Sequence, residues 1–111
     1  VRPIPEKLKN ELSVDKYYSK CCLSYLGSCS GRVEWHHNLI YQGRQENARF
    51  CILPVCHAHH EIEKRKDIGE QLDWIMLNRI SDNEIQQYCK AVNYLHIKNI
   101  LNKKYGTYIE R

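Results

Sequence analysis

No apolar run in the 111 residues approaches the roughly 20 residues that a bilayer-crossing helix needs. The first ten residues, Val1 to Asn10, are charged where a secretory leader is apolar. The expectation is a chain with no membrane span and no mark of secretion. Glycine (five), proline (three), methionine (one) and phenylalanine (one) are scarce, and there is no internal repeat or low-complexity tract. Those absences argue against a disordered or repetitive chain, as does the ordinary balance of 42% hydrophobic and 27% charged residues. The length fits one small domain, residues 1–111, with no room for a second. No strong charge of one sign is present either. The formal net charge of +4 suits nucleic acid, and it serves equally well as a plain solubility charge.

Cysteine and histidine, six of each, are what the chain has in quantity. In a secreted domain six cysteines would read as three disulfides. Here histidines lie close to cysteines in two clusters, Cys21 to His37 and Cys51 to His60, which favours metal binding in a reducing compartment.

Along the chain, Pro5 suits the first turn of a short helix reaching about Leu12, and Ser13 can cap a further turn through Tyr18. Cys21 to Gly31 contains Gly27, Ser28, Ser30 and Gly31 and reads as a tight knuckle. Arg32 to Ile40 alternates loosely and reads as a strand, Tyr41 to Asn47 as a loop, and Arg49 to Val55 as a second strand. From Cys56 the pattern turns helical: His57 to Lys66, then Ile68, Leu72, Ile75 and Met76 at helical spacing to about Arg79. Ser81 and Glu84 form a capping box. The helix they start carries Ile85, Tyr88, Cys89, Val92, Leu95 and Ile100 on one stripe, read as core, and Gly106 ends it. The expected fold class is α+β: an N-terminal helical segment (1–20), a knuckle with a strand–strand–helix core (21–66), and C-terminal helices (67–111).

Cys56 and His59 form a Cys-x-x-His pair, whose two-residue gap lets both side chains turn back on one ion. Cys29 with either Cys22 or Cys21 completes four ligands for a tetrahedral structural zinc. The alternative is a set of small buried thiols in a modest core. A zinc ion would stabilise a knuckle too short to bury much apolar surface. In Trp35-His36-His37-Asn38 the adjacent histidines point to opposite faces of a strand, so they need separate roles. One can hold a metal while the other stays free as a base. Near the start of a helix, His59 and His60 diverge by about 100°. His59 can then face the knuckle while His60 faces the strand with His36 and His37, and His57 is left exposed or in a supporting role.

Cys-x6-Cys, then Glu34-Trp35-His36-His37-Asn38, a loop with Asn47, and Leu53-Pro54-Val55-Cys56-His57-Ala58-His59-His60 resemble the HNH nucleases of the His-metal-finger (ββα-metal) group. The likeness covers about Cys21 to Lys66 and is closest to small phage- and prophage-encoded members. It implies that His36 and His60 hold a catalytic Mg²⁺ or Mn²⁺, that His37 is the general base, and that Asn47 steadies the loop and orients that base. The family commonly has Cys-x-x-Cys-His where this chain has Cys56-x-x-His59-His60, which leaves the register of His59 and His60 open. The Lys that often follows is displaced, with Glu63 and then Lys64 in its place, and receives no role.

The implied activity is hydrolysis of DNA phosphodiester bonds, with RNA left open, in the cytoplasm of a bacterial host if the chain is phage-encoded. Arg44, Arg49, Lys64, Arg65 and Lys66 flank the motif and are candidate phosphate contacts, though each reads as readily as a solvated charge. Lys98, Lys103, Lys104, Tyr105, Tyr108 and Arg111 form a basic, aromatic end that could grip DNA. The competing function is a zinc-stabilised nucleic-acid-binding module without catalysis, which needs neither His37 nor His60. Oligomeric state stays open, a dimer being one route to a double-strand break.

Overall fold

The computed structural model describes residues 4–38, 40–41, 44–45, 48–88 and 92–109. It is an α+β domain with five helices and two small antiparallel sheets among those residues. Helix α1 (Glu6–Ser13) follows Pro5, whose missing N–H costs nothing at a helix start. The next turn, a 3₁₀ segment at Lys16–Ser19, is capped by Asp15 rather than Ser13: the Asp15 carboxylate accepts from the Tyr17 N–H at 3.0 Å. Ser13 instead donates back to the Lys9 carbonyl inside α1.

Strand β1 (Val33–His37) pairs antiparallel with β4 (Ile52–Cys56), with His36 opposite Leu53 and His37 opposite Ile52. Between them, the stretch expected to be a loop forms a small ladder of β2 (Ile40–Tyr41) and β3 (Arg44–Gln45). Both long strands are shorter than the sequence pattern suggests; β4 starts late because Arg49–Cys51 turns as a 3₁₀ segment before it. Pro54 is tolerated in β4 because that strand has only one ladder partner. Its carbonyl accepts from the Cys22 N–H at 2.7 Å, which fastens the knuckle to the sheet.

Cys56 closes β4 and caps α2 (His57–Glu61). The His57 and Ala58 N–H groups donate to the Arg32 and Ser30 carbonyls, at 2.9 and 3.1 Å, so the knuckle and the helix start are sewn together. Gly31 makes that approach possible. Its φ is +83°, and a Cβ there would lie 2.7 Å from the His57 Cβ.

Helix α3 (Lys66–Leu77) begins only after a turn at residues 62–65, so the expected run from His57 to Lys66 is broken. Ile68, Leu72, Ile75 and Met76 lie on its buried face. Each such side chain stabilises the fold by roughly 2 kcal/mol. They pack with Leu23, Leu53 and Val55 in the main core, while Leu12, Tyr18 and Ile52 form a second cluster with Trp35 against it.

The last expected helix is two, α4 (Asp82–Tyr88) and α5 (Tyr94–Tyr105). Ser81 and Glu84 form the capping box of α4 as expected. Asn93 caps α5, its side chain accepting from the His96 N–H at 3.1 Å. The second start resets the helical phase: Leu101 is buried with Tyr94, Leu95, Ile97 and Tyr105 beside it, while Val92 and Ile100 of the expected stripe are exposed. Among the described residues no helix is long and apolar enough to cross a membrane.

Candidate metal centre

Two groups of metal-ligating side chains converge on the short helix α2. In the first, the Nδ1 of His59 lies 3.4 Å from the sulfur of Cys21, 3.6 Å from that of Cys29 and 3.2 Å from that of Cys56. A tetrahedral zinc with Zn–S of about 2.3 Å and Zn–N of about 2.05 Å places sulfur and nitrogen roughly 3.6 Å apart. The donor set and its spacing therefore fit zinc. Of the two adjacent cysteines, Cys21 joins this cluster. Cys22, the first choice on sequence, does not: it is packed against the main core, and burial pushes its thiol up.

Burial alone would raise the Cys56 thiol, but hydrogen bonds from the His59 and Ser30 backbone outweigh it and hold the thiol down at about 6. Burial pushes Cys21 up, and Cys29 is pushed to about 12 by desolvation and by the charge of Cys21. Three thiols so close ionise together only around a cation. All five described cysteines are free thiols.

The second group is His36, His60 and Glu63. Strand alternation puts Glu34 and His36 on the face of β1 that meets α2. The Glu63 Oε2 atom lies 2.5 Å from His36 Nδ1 and 3.4 Å from His60 Nε2, and the two rings are 5.3 Å apart between centroids. That oxygen is buried and receives no aligned hydrogen bond. The far side of each ring is committed elsewhere. His60 Nδ1–H donates to Glu34 Oε1 at 2.8 Å, and His36 Nε2–H donates to Asn38 Oδ1 at 3.1 Å. The three atoms lie close enough together to hold a metal ion, and His36 and Glu63 also stand at ion-pair distance. Two imidazoles and a carboxylate suit a divalent transition metal, and admit Mn²⁺ or Mg²⁺.

Burial lowers the pKa of His36 against the attraction of Glu63, which favours the neutral, ligating ring. Glu34 is lowered by hydrogen bonds from His60 and His57. His57, exposed, lies 3.2 Å from Glu34 and 2.9 Å from Glu61 through its two ring nitrogens, and its pKa is raised, first by Glu34.

Glu63 is a candidate ligand with no motif to mark it. It sits three residues after His60, in the turn that follows α2, and that spacing is its only signal in the sequence. His37 follows His36 at the end of β1, so alternation places it on the Trp35 side of the strand, away from the three ligands. Asn47 and the Arg44 side chain lie outside the described residues.

The candidate phosphate contacts are less concentrated than their sequence positions suggest. Arg49 is paired with Asp15 and stacks near the Tyr18 ring, so it ties down the N-terminal segment instead. Arg65 pairs with Asp67 at 3.0 Å at the start of α3. Lys64 and Lys66 are exposed beside Glu63 and at the α3 start. In the C-terminal part, Lys104 and Tyr105 both donate to Glu70, Lys98 pairs with Asp82, and the Tyr105 and Tyr108 rings pack against Trp74. A cavity of about 310 Å³ lies beside those rings, reaching Cys21 at the rim of the Cys-rich cluster.

Comparison of the chain with protein-family models, with curated proteins and with solved structures finds no match.

Proposed function

We propose that the chain is a metal-dependent endonuclease of HNH type acting on DNA. In this reading β1, β4 and α2 form a ββα-metal finger, braced by zinc on Cys21, Cys29, Cys56 and His59. The observation that carries it is the convergence of His36, His60 and Glu63 on one point, with His37 the next residue on the strand.

When bound there, a divalent ion supplies a Lewis acid for the phosphate and for the departing 3′ oxygen. His36, His60 and Glu63 hold it, and Glu34 and Asn38 fix the two rings through their outer nitrogens. His37 takes a proton from the attacking water at an imidazole nitrogen. Lys64, exposed next to Glu63 in the chain, and Lys66, exposed at the start of α3, attract the phosphate backbone.

One observation favours the second reading, a zinc-braced nucleic-acid-binding module: the alternation that sets His37 on the strand face away from the ligands. Nicking of supercoiled plasmid with Mg²⁺ or Mn²⁺ decides between them. Relaxation by the wild type and not by His37→Ala is the expected result. A folded, zinc-loaded protein that shifts DNA without cutting it would replace the enzyme with the binding module.

A further inference from the structure

Asn38 follows β1 directly, and its backbone is pinned by an N–H donated to the Cys51 carbonyl at 2.8 Å. Its side-chain nitrogen donates to Asp73 Oδ1 on α3 at 2.9 Å and lies 3.5 Å from the Met76 sulfur. With the amino end of the amide turned to α3, the oxygen end faces His36 Nε2. An amide oxygen only accepts, so Nε2 carries a proton, and Nδ1 is the nitrogen left for a cation. Nδ1 is the atom that faces Glu63 Oε2. His60 is set the other way: Glu34 takes its Nδ1–H and leaves Nε2 toward the same oxygen. The two rings therefore offer different nitrogens to one point.

We propose that Asp73, acting through Asn38, is a positioning residue that makes His36 a ligand through Nδ1. The proposal rests on the reading of His36, His60 and Glu63 as a divalent-metal centre. Asp73 touches none of these three; it decides which way the Asn38 amide points. Without an acceptor oxygen on α3 the amide is free to turn over and present its amino group to Nε2. The proton then moves to Nδ1, where it blocks the ligand position.

The first measurement is the tautomer of His36 in zinc-loaded protein free of other divalent ions, read from long-range ¹H–¹⁵N correlation spectra. His36→Asn identifies the ring. Wild type is expected to show Nε2–H, a result that does not depend on the folding of any variant. Asp73→Ala is expected to lose that preference, and Asp73→Asn, which keeps an acceptor oxygen, to retain it.

The second measurement is calorimetric titration with Mn²⁺. Asp73→Ala should bind about ten- to a hundredfold more weakly, the range seen when a partner behind a metal ligand is removed, while Asp73→Asn should stay near wild type. A wild-type His36 with no proton on Nε2 would overturn the proposal, as would an Asp73→Ala protein with unchanged Nε2 protonation and unchanged Mn²⁺ affinity. A folded wild type that binds no Mn²⁺ overturns both the proposal and the metal centre. Intact Mn²⁺ binding, with the predicted tautomer and the loss in Asp73→Ala but no DNA cleavage, supports the positioning role and removes only the endonuclease reading.

Discussion

Replacing Asp73 by Asn should stabilise the protein, and the gain should grow with pH. Burial pushes the Asp73 carboxyl up from 3.8 to about 6, against the lowering effect of the hydrogen bond from Asn38. Most carboxylates in a fold are lowered and strengthen it as they ionise; this one has the opposite sign. The native state holds the Asp73 proton more tightly than the unfolded chain does. Unfolding therefore becomes more favourable as pH rises through the interval between the two values.

Linkage gives a cost that is below about 1 kcal/mol at pH 4 and grows to roughly 3 kcal/mol above pH 7. Asn removes the ionisation and keeps an oxygen for Asn38. Urea unfolding of wild type and Asp73→Asn, followed by tryptophan fluorescence at fixed zinc from pH 4 to 8, measures the difference directly. Zinc ligation also weakens in acid, but it does so in both proteins and cancels between them. Stability curves that run parallel across this range would refute the reasoning, and so would an Asn variant less stable than wild type at pH 7.5.

Cys21→Ser should abolish stoichiometric zinc binding and leave the chain largely unfolded, whereas Cys22→Ser should keep one zinc per chain; metal analysis with circular dichroism separates them. Removing zinc with a strong chelator should unfold the knuckle of the wild type in the same way, with the signal restored on adding zinc back. Gly31→Ala combines positive φ with a Cβ 2.7 Å from that of His57 and should cost about 2–4 kcal/mol in chemical denaturation. Glu63→Gln should weaken Mn²⁺ binding by at least about tenfold in calorimetry while leaving zinc content unchanged.

The parts of the site that could be read in the sequence are those set by local geometry. Cys56 and His59 meet because a helix starts between strand and turn, and His60 separates from His59 because helical neighbours diverge. The choice between Cys21 and Cys22 was not readable, since either of two adjacent loop residues can turn inward. Here the bond from the Cys22 N–H to Pro54 sets which one does. Asp73 and Asn38 stand 35 residues apart and meet only when α3 packs on the sheet, so no spacing announces them.

The overall class, α+β with helices on either side of a strand pair, follows from the change of hydrophobic period at Cys56. The split of the last helix escaped that reading because the stripe from Ile85 to Ile100 is consistent with one helix. The cap at Asn93 restarts the turn and moves the buried face to Leu101. The ladder of β2 and β3 was missed for a different reason: each strand is two residues long, too short for alternation to register.

Helix α2 has five residues, too few to be stable alone, and its side chains face both clusters: His59 toward the sulfurs of Cys21, Cys29 and the capping Cys56, His60 toward Glu63. Whatever orders this turn at one end has already ordered it for the other. In the proposed two-ion reading, thermodynamic reciprocity would make an ion in the Cys-rich cluster tighten ligation at His36, His60 and Glu63 by the same factor by which the second ion tightens the first. A chain deprived of zinc would then lose its grip on the other ion before any of that ion's own ligands had been touched.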